Sequence, residues 1–532
     1  MSFFVIGILG GLIRMLDGAI EAAPTLVVGL LIAAILRYYF GTAGTRELFG
    51  GESLRSLPQS WLIGMLLPVC SIGVLPILME MRRARVKAGA LSAFALSAPL
   101  FNPLSLLYGL TLSRPAVVLM FAFGSLVVVT LVGWVWDRFG KTSGSEGETI
   151  GVQEPAHGLI GVRRLGAVNL YIVRQLAGPS GGWALVALFG LMLLAFALPW
   201  GSLQSSVERD DWSAPATMTA VALPAYAPPM LAMSQLGMMF QHANSPGAAF
   251  ILLVLGAGVN LATLAWLARH YGGRSVATWF GSLLIVVVGI AYAINQPLVP
   301  PGVEPAGHTH AFDVYTNPVA SIESSSWSLL REKTIDDMHI GEMVGIGLLA
   351  VLILLGVVVR LLSIDESRLA ISLPDDVDQS SGQPTVGLAS YDRIVPPQLV
   401  GAVLLAGLVA LSVVMCYGYY PSPEETLEEI AIARAETLSA ANSGHVEHAA
   451  YWLVNWEDWS RRLEVGTFLR TGEVRPYQRM QGYLIRKKLE LLEHELEHEP
   501  FELEETRKVV RDILSTDRRW VAAFRRTETQ GN

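Results

Sequence analysis

Long apolar runs separated by short charged loops set the pattern of this chain. Windows of roughly 20 residues with few or no charges match the length a helix needs to cross a hydrocarbon core of roughly 30 Å. They are clearest at 23–36 (extended by Arg37-Tyr38-Tyr39-Phe40), 88–112, 115–136, 183–200, 247–267, 275–294, 343–362 and 399–420. Two further runs, 61–79 and 216–240, are as apolar but carry proline: Pro68 and Pro76 in the first, Pro224, Pro228 and Pro229 in the second. Proline removes a backbone donor and clashes with the preceding turn, so these runs predict broken or re-entrant helices. Residues 1–20 are apolar to Ile13 and then carry Arg14 and Asp17, which predicts an interfacial helix or a poor span. They show no basic leader and no Ala-x-Ala site, so no signal peptide is read.

One stretch occurs twice. The segment from Pro68 to Pro103 shares its core with Ser245 to Leu264: Gly89 pairs with Gly247, Ala90 with Ala248, Asn102 with Asn260, Ser105 with Thr263 and Leu106 with Leu264, an offset of 158 (260 − 102). Each copy is followed by Phe-Gly-Ser-Leu, at 123–126 and 280–283. Duplicated membrane units with matching helix breaks are how many secondary transporters build a midplane site.

Charge orients the copies. Basic residues near span ends mark the cytoplasmic side. Arg82, Arg83, Arg85 and Lys87 form one cluster; Arg138, Lys141, Arg163, Arg164 and Arg174 fill a second loop; Arg269 and Arg274 bracket a third. Glu208, Asp210 and Asp211 make the loop after Trp200 acidic. If both proline-broken runs return to the side they entered, the basic loops fall inside, the acidic loop falls outside, and the copies are inverted. If both cross fully, the copies are parallel and Arg269 and Arg274 move outside. The first arrangement fits the charges better.

Composition agrees with a membrane protein: 52% hydrophobic, 16% charged, mean hydropathy +0.45, with the net charge of −8 crowded into loops and the last hundred or so residues. Cys70 and Cys416 lie in separate apolar segments and make no disulfide framework. There is no Walker loop, Rossmann glycine string or haem-attachment motif, and the spans hold no clustered carboxylates and no His-Glu-x-x-His, so neither a self-contained ATP-driven pump nor a membrane-embedded enzyme is expected, and no cofactor.

The string Pro68-Val-Cys70-Ser71-Ile-Gly73-Val-Leu-Pro76, then a basic turn, Gly89-Ala90, and Ser97-Ala-Pro99-Leu-Phe-Asn102-Pro103, resembles the predicted permeases of the arsenical permease (ArsP-like) type. Their members carry Pro-x-Cys-Ser-Cys-Gly, then Pro-x-x-Asn-Pro, and a looser second copy. The resemblance covers roughly Pro24 to Pro297. It departs at Ile72, where many members have a second cysteine, and at Leu261, where the family often has proline. It implies export of trivalent organoarsenicals or movement of soft metals. Such species prefer two or more thiolates, and here Cys70 stands alone at its site.

The expected substrate path is Cys70, Ser71, Gly73, Pro76, Pro99, Asn102, Pro103, Gly247, Asn260 and Thr263. Amides in apolar helices are costly unless satisfied, so Asn102 and Asn260 either tie helices together or line that path. Cys70 is either a packing residue or a soft ligand. Gln241 and His242 close the second broken run as an interfacial loop. His308, His310 and Asp313 in the polar loop after Ile294 supply part of a metal shell, a capture site on the outer face. Past Pro421, four charged amphipathic helices are predicted at 424–441, 445–469, 474–499 and 501–524. Trp452, Trp456 and Trp459 make a core stripe in them, and His445 with His448 and His494 with His498 share helix faces.

The fold expected is an all-α integral membrane protein of about eight or more transmembrane helices, with two inverted repeats containing broken or re-entrant segments. The parts are an N-terminal interfacial helix or poor span (1–20), membrane repeat 1 (21–137), a cytoplasmic loop (138–181), membrane repeat 2 (182–296), a polar loop with His-x-His (297–341), two further transmembrane helices (342–420) and a soluble helical bundle (421–532). The function expected is gradient-driven efflux of a metalloid or soft metal by a multi-pass permease of the plasma (inner) membrane. Its partners are a small inorganic or organometalloid substrate and the lipid bilayer, with no nucleic acid. The alternative is a membrane-anchored metal sensor or scaffold whose C-terminal domain carries the function. Substrate, direction, coupling ion and oligomeric state are left open by the sequence.

Overall fold

The computed structural model describes residues 3–51, 53, 55–101, 105–107, 109, 115–139, 162–205, 207–209, 211–298, 309–319, 340–366, 397–497 and 501–525. Among these, regular structure is helical throughout, and the chain divides into a unit of residues 1–106 and 116–409 and a unit of 410–532 with 107–115.

In the larger unit, α1 (Phe3–Ile35) runs 33 residues unbroken, then through a π-helical turn (Leu36–Phe40) into α2 (Gly41–Leu48). The boundary expected at residue 20 is therefore not a break in the chain. Arg14 and Asp17 pair one turn apart at 3.5 Å, so the helix carries both without stopping. The chain continues as α3 (Ser56–Leu66), α4 (Val74–Arg83), α5 (Ala88–Ser97) and α6 (Pro115–Phe139), then α7 (Val162–Leu176) and α8 (Pro179–Ala197). Next come α9 (Ala214–Ala222), α10 (Pro229–Gln241), α11 (Pro246–Ile251, prolonged by a π turn to Ala257), α12 (Leu261–Tyr271), α13 (Gly273–Asn295) and α14 (Ile340–Leu361). The loop expected at 138–181 thus holds a helix, α7. α15 (Pro397–Tyr419) follows and runs from this unit into the next.

Five helices among the described residues are long and apolar enough to cross a membrane, six if the pair 246–257 and 261–271, bent by 59°, is one span. The two runs read as plain spans at 88–112 and 247–267 are both interrupted, at 98–101 and 258–260.

α3 and α5 are parallel. A methyl group at Gly133 would stand 2.7 Å from Leu57 Cδ2 and 3.1 Å from Gly89 O, joining the starts of both helices; one at Gly64 would stand 2.2 Å from Ser97 Oγ, joining their ends. α4 then leads back through residues 84–87 to the start of α5, so α3 and α4 form a hairpin that returns to the end it left. At that end the Gly89 amide donates to Asp137 Oδ1 (2.7 Å) near the close of α6. The second half repeats the relation: the Gly247 amide donates to Asn295 Oδ1 (3.0 Å) near the close of α13, where Tyr292 Oη donates to Trp212 O (2.9 Å) just before α9. Three pairs of helices begin 158 residues apart, α3 and α9, α5 and α11, α6 and α13.

Small residues let these helices approach, as packing in an apolar medium requires. α1 lies antiparallel to α8, with Gly7 on Phe196, Gly11 on Met192 and Gly18 on Leu188 and Leu191. Glu80, buried at the end of α4, accepts from Tyr171 Oη (2.8 Å) and pairs with Arg37 (3.5 Å) and Arg83 (3.0 Å), while Arg37 also pairs with Glu366 (3.6 Å). A buried carboxylate needs such partners, and here they fasten the π-helical turn after α1, α4, α7 and the chain after α14.

The second unit holds α16 (Pro423–Ser443), α17 (Val446–Thr471), α18 (Pro476–Glu497) and α19 (Leu503–Arg525), close to the four expected helices. Ser422 and Glu425 form a capping box that starts α16. Trp456, Leu463, Ile485, Leu489, Ile513 and Trp520 build the core, with Trp452 and Trp459 packed against it. Arg486 pairs with Glu464 and Arg434 with Asp517, both at 2.6 Å. His448 Nε2 lies 3.2 Å from Glu436 Oε2, a carboxylate on α16; His498 lies outside the described residues.

Candidate functional site where four helix breaks meet

Four stretches of buried, non-helical backbone converge in the larger unit: 67–73 between α3 and α4, 98–101 after α5, 223–228 between α9 and α10, and 258–260 between α11 and α12. In lipid such backbone is tolerated only when buried in protein or lining a cavity. The break at 67–73 is forced by Pro68 and packed by glycine. A methyl group at Gly73 would stand 2.5 Å from Thr25 O, and one at Gly29 only 2.0 Å from Gly73 O, so two glycines face each other where α1 crosses the turn.

Cys70 is wholly buried at this crossing. Its sulfur lies 2.8 Å from Thr25 Oγ1, and the Gly73 amide donates to it at 3.4 Å. The Thr25 hydroxyl also lies 3.0 Å from Ala22 O. It carries one proton, so when that proton goes to Ala22 O the thiol donates to Thr25; when the sulfur is a thiolate, Thr25 can turn and donate to it. The Tyr226 hydroxyl, from the break at 223–228, lies beside Cys70 without a hydrogen bond of ordinary geometry. Ser71 Oγ is buried with no hydrogen-bond partner among the described residues.

Asn260 stands in extended backbone (φ −143°, ψ 169°) as the N-cap of α12. Its Oδ1 accepts from Thr263 N (2.9 Å) and Thr263 Oγ1 (3.2 Å), while its Nδ2 is buried with no hydrogen-bond partner among the described residues. A buried amide proton pair without an acceptor costs about 1–3 kcal/mol, which favours a ligand oxygen there. Two contacts draw the breaks together. A methyl group at Gly258 would stand 3.2 Å from Leu96 O and 3.4 Å from Leu100 Cδ2, and Ala227 N donates to Gly256 O at 3.2 Å.

The expected path residues divide accordingly. Cys70, Ser71 and Gly73 share one break, Pro99 lies in the break that Gly258 meets, and Asn260 with Thr263 forms the cap beyond it. Pro76 is buried in the first turn of α4, where its missing N–H leaves no bond unmade. Gly247 makes a packing contact: a methyl group there would stand 2.5 Å from Ala291 O, and it lies thirteen residues before Asn260, roughly 20 Å along a helix. Asn102 and Pro103 lie outside the described residues. Thr25 and Tyr226 were not foreseen, because a helical threonine and a tyrosine between prolines carry no signature of their contact partner.

The expected metal shell is not assembled among the described residues. His308 and the side chain of His310 lie outside them, and no group of three His, Cys, Asp or Glu is placed to hold a metal ion. Asp313, buried, accepts from Gln204 Nε2 at 3.2 Å, and its backbone carbonyl accepts from Arg14 at 2.8 Å. The segment 309–319 is packed instead against α10, where Gln235 donates to Ala311 O (2.8 Å) and accepts from Tyr315 Oη (3.0 Å).

The breaks thus bring together a thiol, the hydroxyls of Thr25, Ser71, Tyr226 and Thr263, an amide and freed backbone groups, with no charge among them. A family model described as predicted permease, of the ArsP type, matches residues 14–296, the stretch that contains all four breaks. No curated protein and no solved structure matches the chain.

Proposed function

This chain belongs to the predicted permease family of the ArsP type, and from that premise we propose that it exports a small trivalent metalloid or soft metal species, driven by a gradient, from the plasma (inner) membrane. The observation that carries the reading is Cys70: a wholly buried soft donor held at a helix break by Thr25 at 2.8 Å, where three further breaks meet. Soft ions and trivalent arsenicals bind sulfur, and amides and hydroxyls complete a neutral shell. The substrate path is Cys70, Ser71, Pro99, Asn260 and Thr263, to which Asn102 and Pro103 are added from the sequence alone.

We read the two halves as inverted repeats with re-entrant hairpins. The recurring glycine-to-acceptor bond at Gly89–Asp137 and Gly247–Asn295 supports equivalence of the halves. The end of the first hairpin carries Arg82, Arg83, Arg85 and Lys87, whereas the equivalent end of the second adjoins Glu208 and Asp211. Basic ends favour the cytoplasm, so equivalent ends face opposite sides. Such halves rocking about a shared site would give alternating access.

The test is accumulation in cells expressing the chain, exposed in turn to methylarsenite, arsenite, zinc and copper. Lower cellular arsenic with methylarsenite, an effect reduced severalfold by Cys70→Ser, is the expected result. Unchanged accumulation of all four species would overturn the substrate class.

A further inference from the structure

We infer that Glu21 is the coupling carboxylate of this permease: it carries a proton in one state of the transport cycle and gives it up in the other, exchanging protons for substrate. The inference rests on reading the four breaks as the substrate site.

An ionisable residue inside a membrane helix is costly and tends to be functional. Arg14, Asp17, Glu21, Thr25 and Gly29 follow one another on α1 at spacings of three and four, which places them on one face. That face is the one packed on the breaks, since Gly18 lies against Tyr226, Thr25 against Cys70 and Gly29 against Gly73. Glu21 is therefore one turn, about 6 Å along the axis, from the residue that holds the sulfur. Its charge acts on Tyr226, Tyr315 and Arg14.

Tyr226 connects carboxylate and site. Its hydroxyl is buried without a hydrogen bond of ordinary geometry, and it feels both Glu21 and Cys70. A carboxylate whose charge reaches such a hydroxyl biases its orientation: ionised, it favours the hydroxyl dipole turned toward it; protonated, it removes that bias and leaves the hydroxyl to the sulfur. The other titratable or charged groups along this face are Arg14 and Asp17 on α1, which pair at 3.5 Å, Tyr315 and Asp313 on the segment 309–319, the latter's carbonyl accepting from Arg14, and Cys70, which Thr25 meets on the first break. A proton needs only the carboxylate, whereas a hard cation needs several oxygen ligands held together.

The test compares the full-length chain and Glu21→Gln in proteoliposomes with methylarsenite as probe. Two assays are run: exchange at equal concentrations with no ion gradient, and accumulation driven by a pH gradient. Exchange should persist in Glu21→Gln while pH-driven accumulation falls about tenfold or more. Retained pH-driven accumulation overturns the inference, as does wild-type accumulation driven by sodium and not by protons. Loss of exchange as well, in a folded variant, also overturns it by making Glu21 a structural or substrate-binding residue. If the wild type exchanges no methylarsenite, the substrate reading fails, and infrared difference spectra of the purified protein across pH decide for Glu21 separately. A protonated-carboxyl band that titrates in the wild type and is missing in Glu21→Gln supports the inference; an unchanged band overturns it.

Discussion

The backbone amide of Gly89 donates to Asp137 Oδ1 at 2.7 Å, and 158 residues later the same bond joins Gly247 to Asn295. A carboxylate fills the acceptor position in one half and an amide in the other, so the bond needs an oxygen and not a charge. Asp137→Asn should therefore leave thermal stability nearly unchanged, whereas Asp137→Leu orphans a part-buried amide and costs about 1–3 kcal/mol. Melting of the purified protein in detergent checks this, and equal losses in both variants would show that the charge is what matters.

Cys70 should set the substrate class. Cys70→Ser keeps the size and removes the soft donor, so resistance to methylarsenite should fall severalfold; Ile72→Cys adds a second thiol to the turn and should raise it. Thr25→Val removes the hydroxyl at 2.8 Å and should weaken binding by about 1 kcal/mol, roughly fivefold. Growth curves against graded methylarsenite read all three. Silent changes throughout would make Cys70 a packing residue.

Asn260 has two jobs that substitution can separate. Serine caps helices as well as asparagine does, so Asn260→Ser should preserve membrane yield while removing the amide protons and abolishing transport. Asn260→Leu loses the cap too, at about 0.5–2 kcal/mol, and should lower yield as well. Normal transport by Asn260→Ser would confine this residue to capping.

Deleting residues 421–532 should leave measurable transport, because the four breaks lie within residues 67–260. Complete loss of transport by a truncated chain that reaches the membrane in normal amount would favour the view that the helical tail carries the function.

Much of this was legible in the sequence, for reasons that can be named. The offset of 158 was visible because glycines at 89 and 247 must face a neighbouring backbone, and asparagine in an apolar run stands out. The tail helices were visible from their period. Three things were hidden. Residues 1–20 read as a poor span because Arg14 and Asp17 look prohibitive in isolation, yet they pair with each other and Arg14 reaches two carbonyls near residue 315. The packing contact of Gly247, like that of its match Gly89, shows only once the neighbouring helix is in place. Thr25 and Tyr226 owe their place beside Cys70 to the Gly29–Gly73 crossing and to the meeting of breaks far apart in sequence, which no local pattern reports.

The inverted arrangement of the two halves is tested most directly by side-specific labelling of single cysteines. In a chain with Cys70 and Cys416 replaced by serine, cysteines are placed at three exposed positions by Lys87→Cys, Gly273→Cys and Trp212→Cys. A membrane-impermeant maleimide should label Trp212→Cys on intact cells and reach Lys87→Cys and Gly273→Cys only from the cytoplasmic face of inverted vesicles. External labelling of Gly273→Cys, with Lys87→Cys still internal, would make the halves parallel and contradict the account.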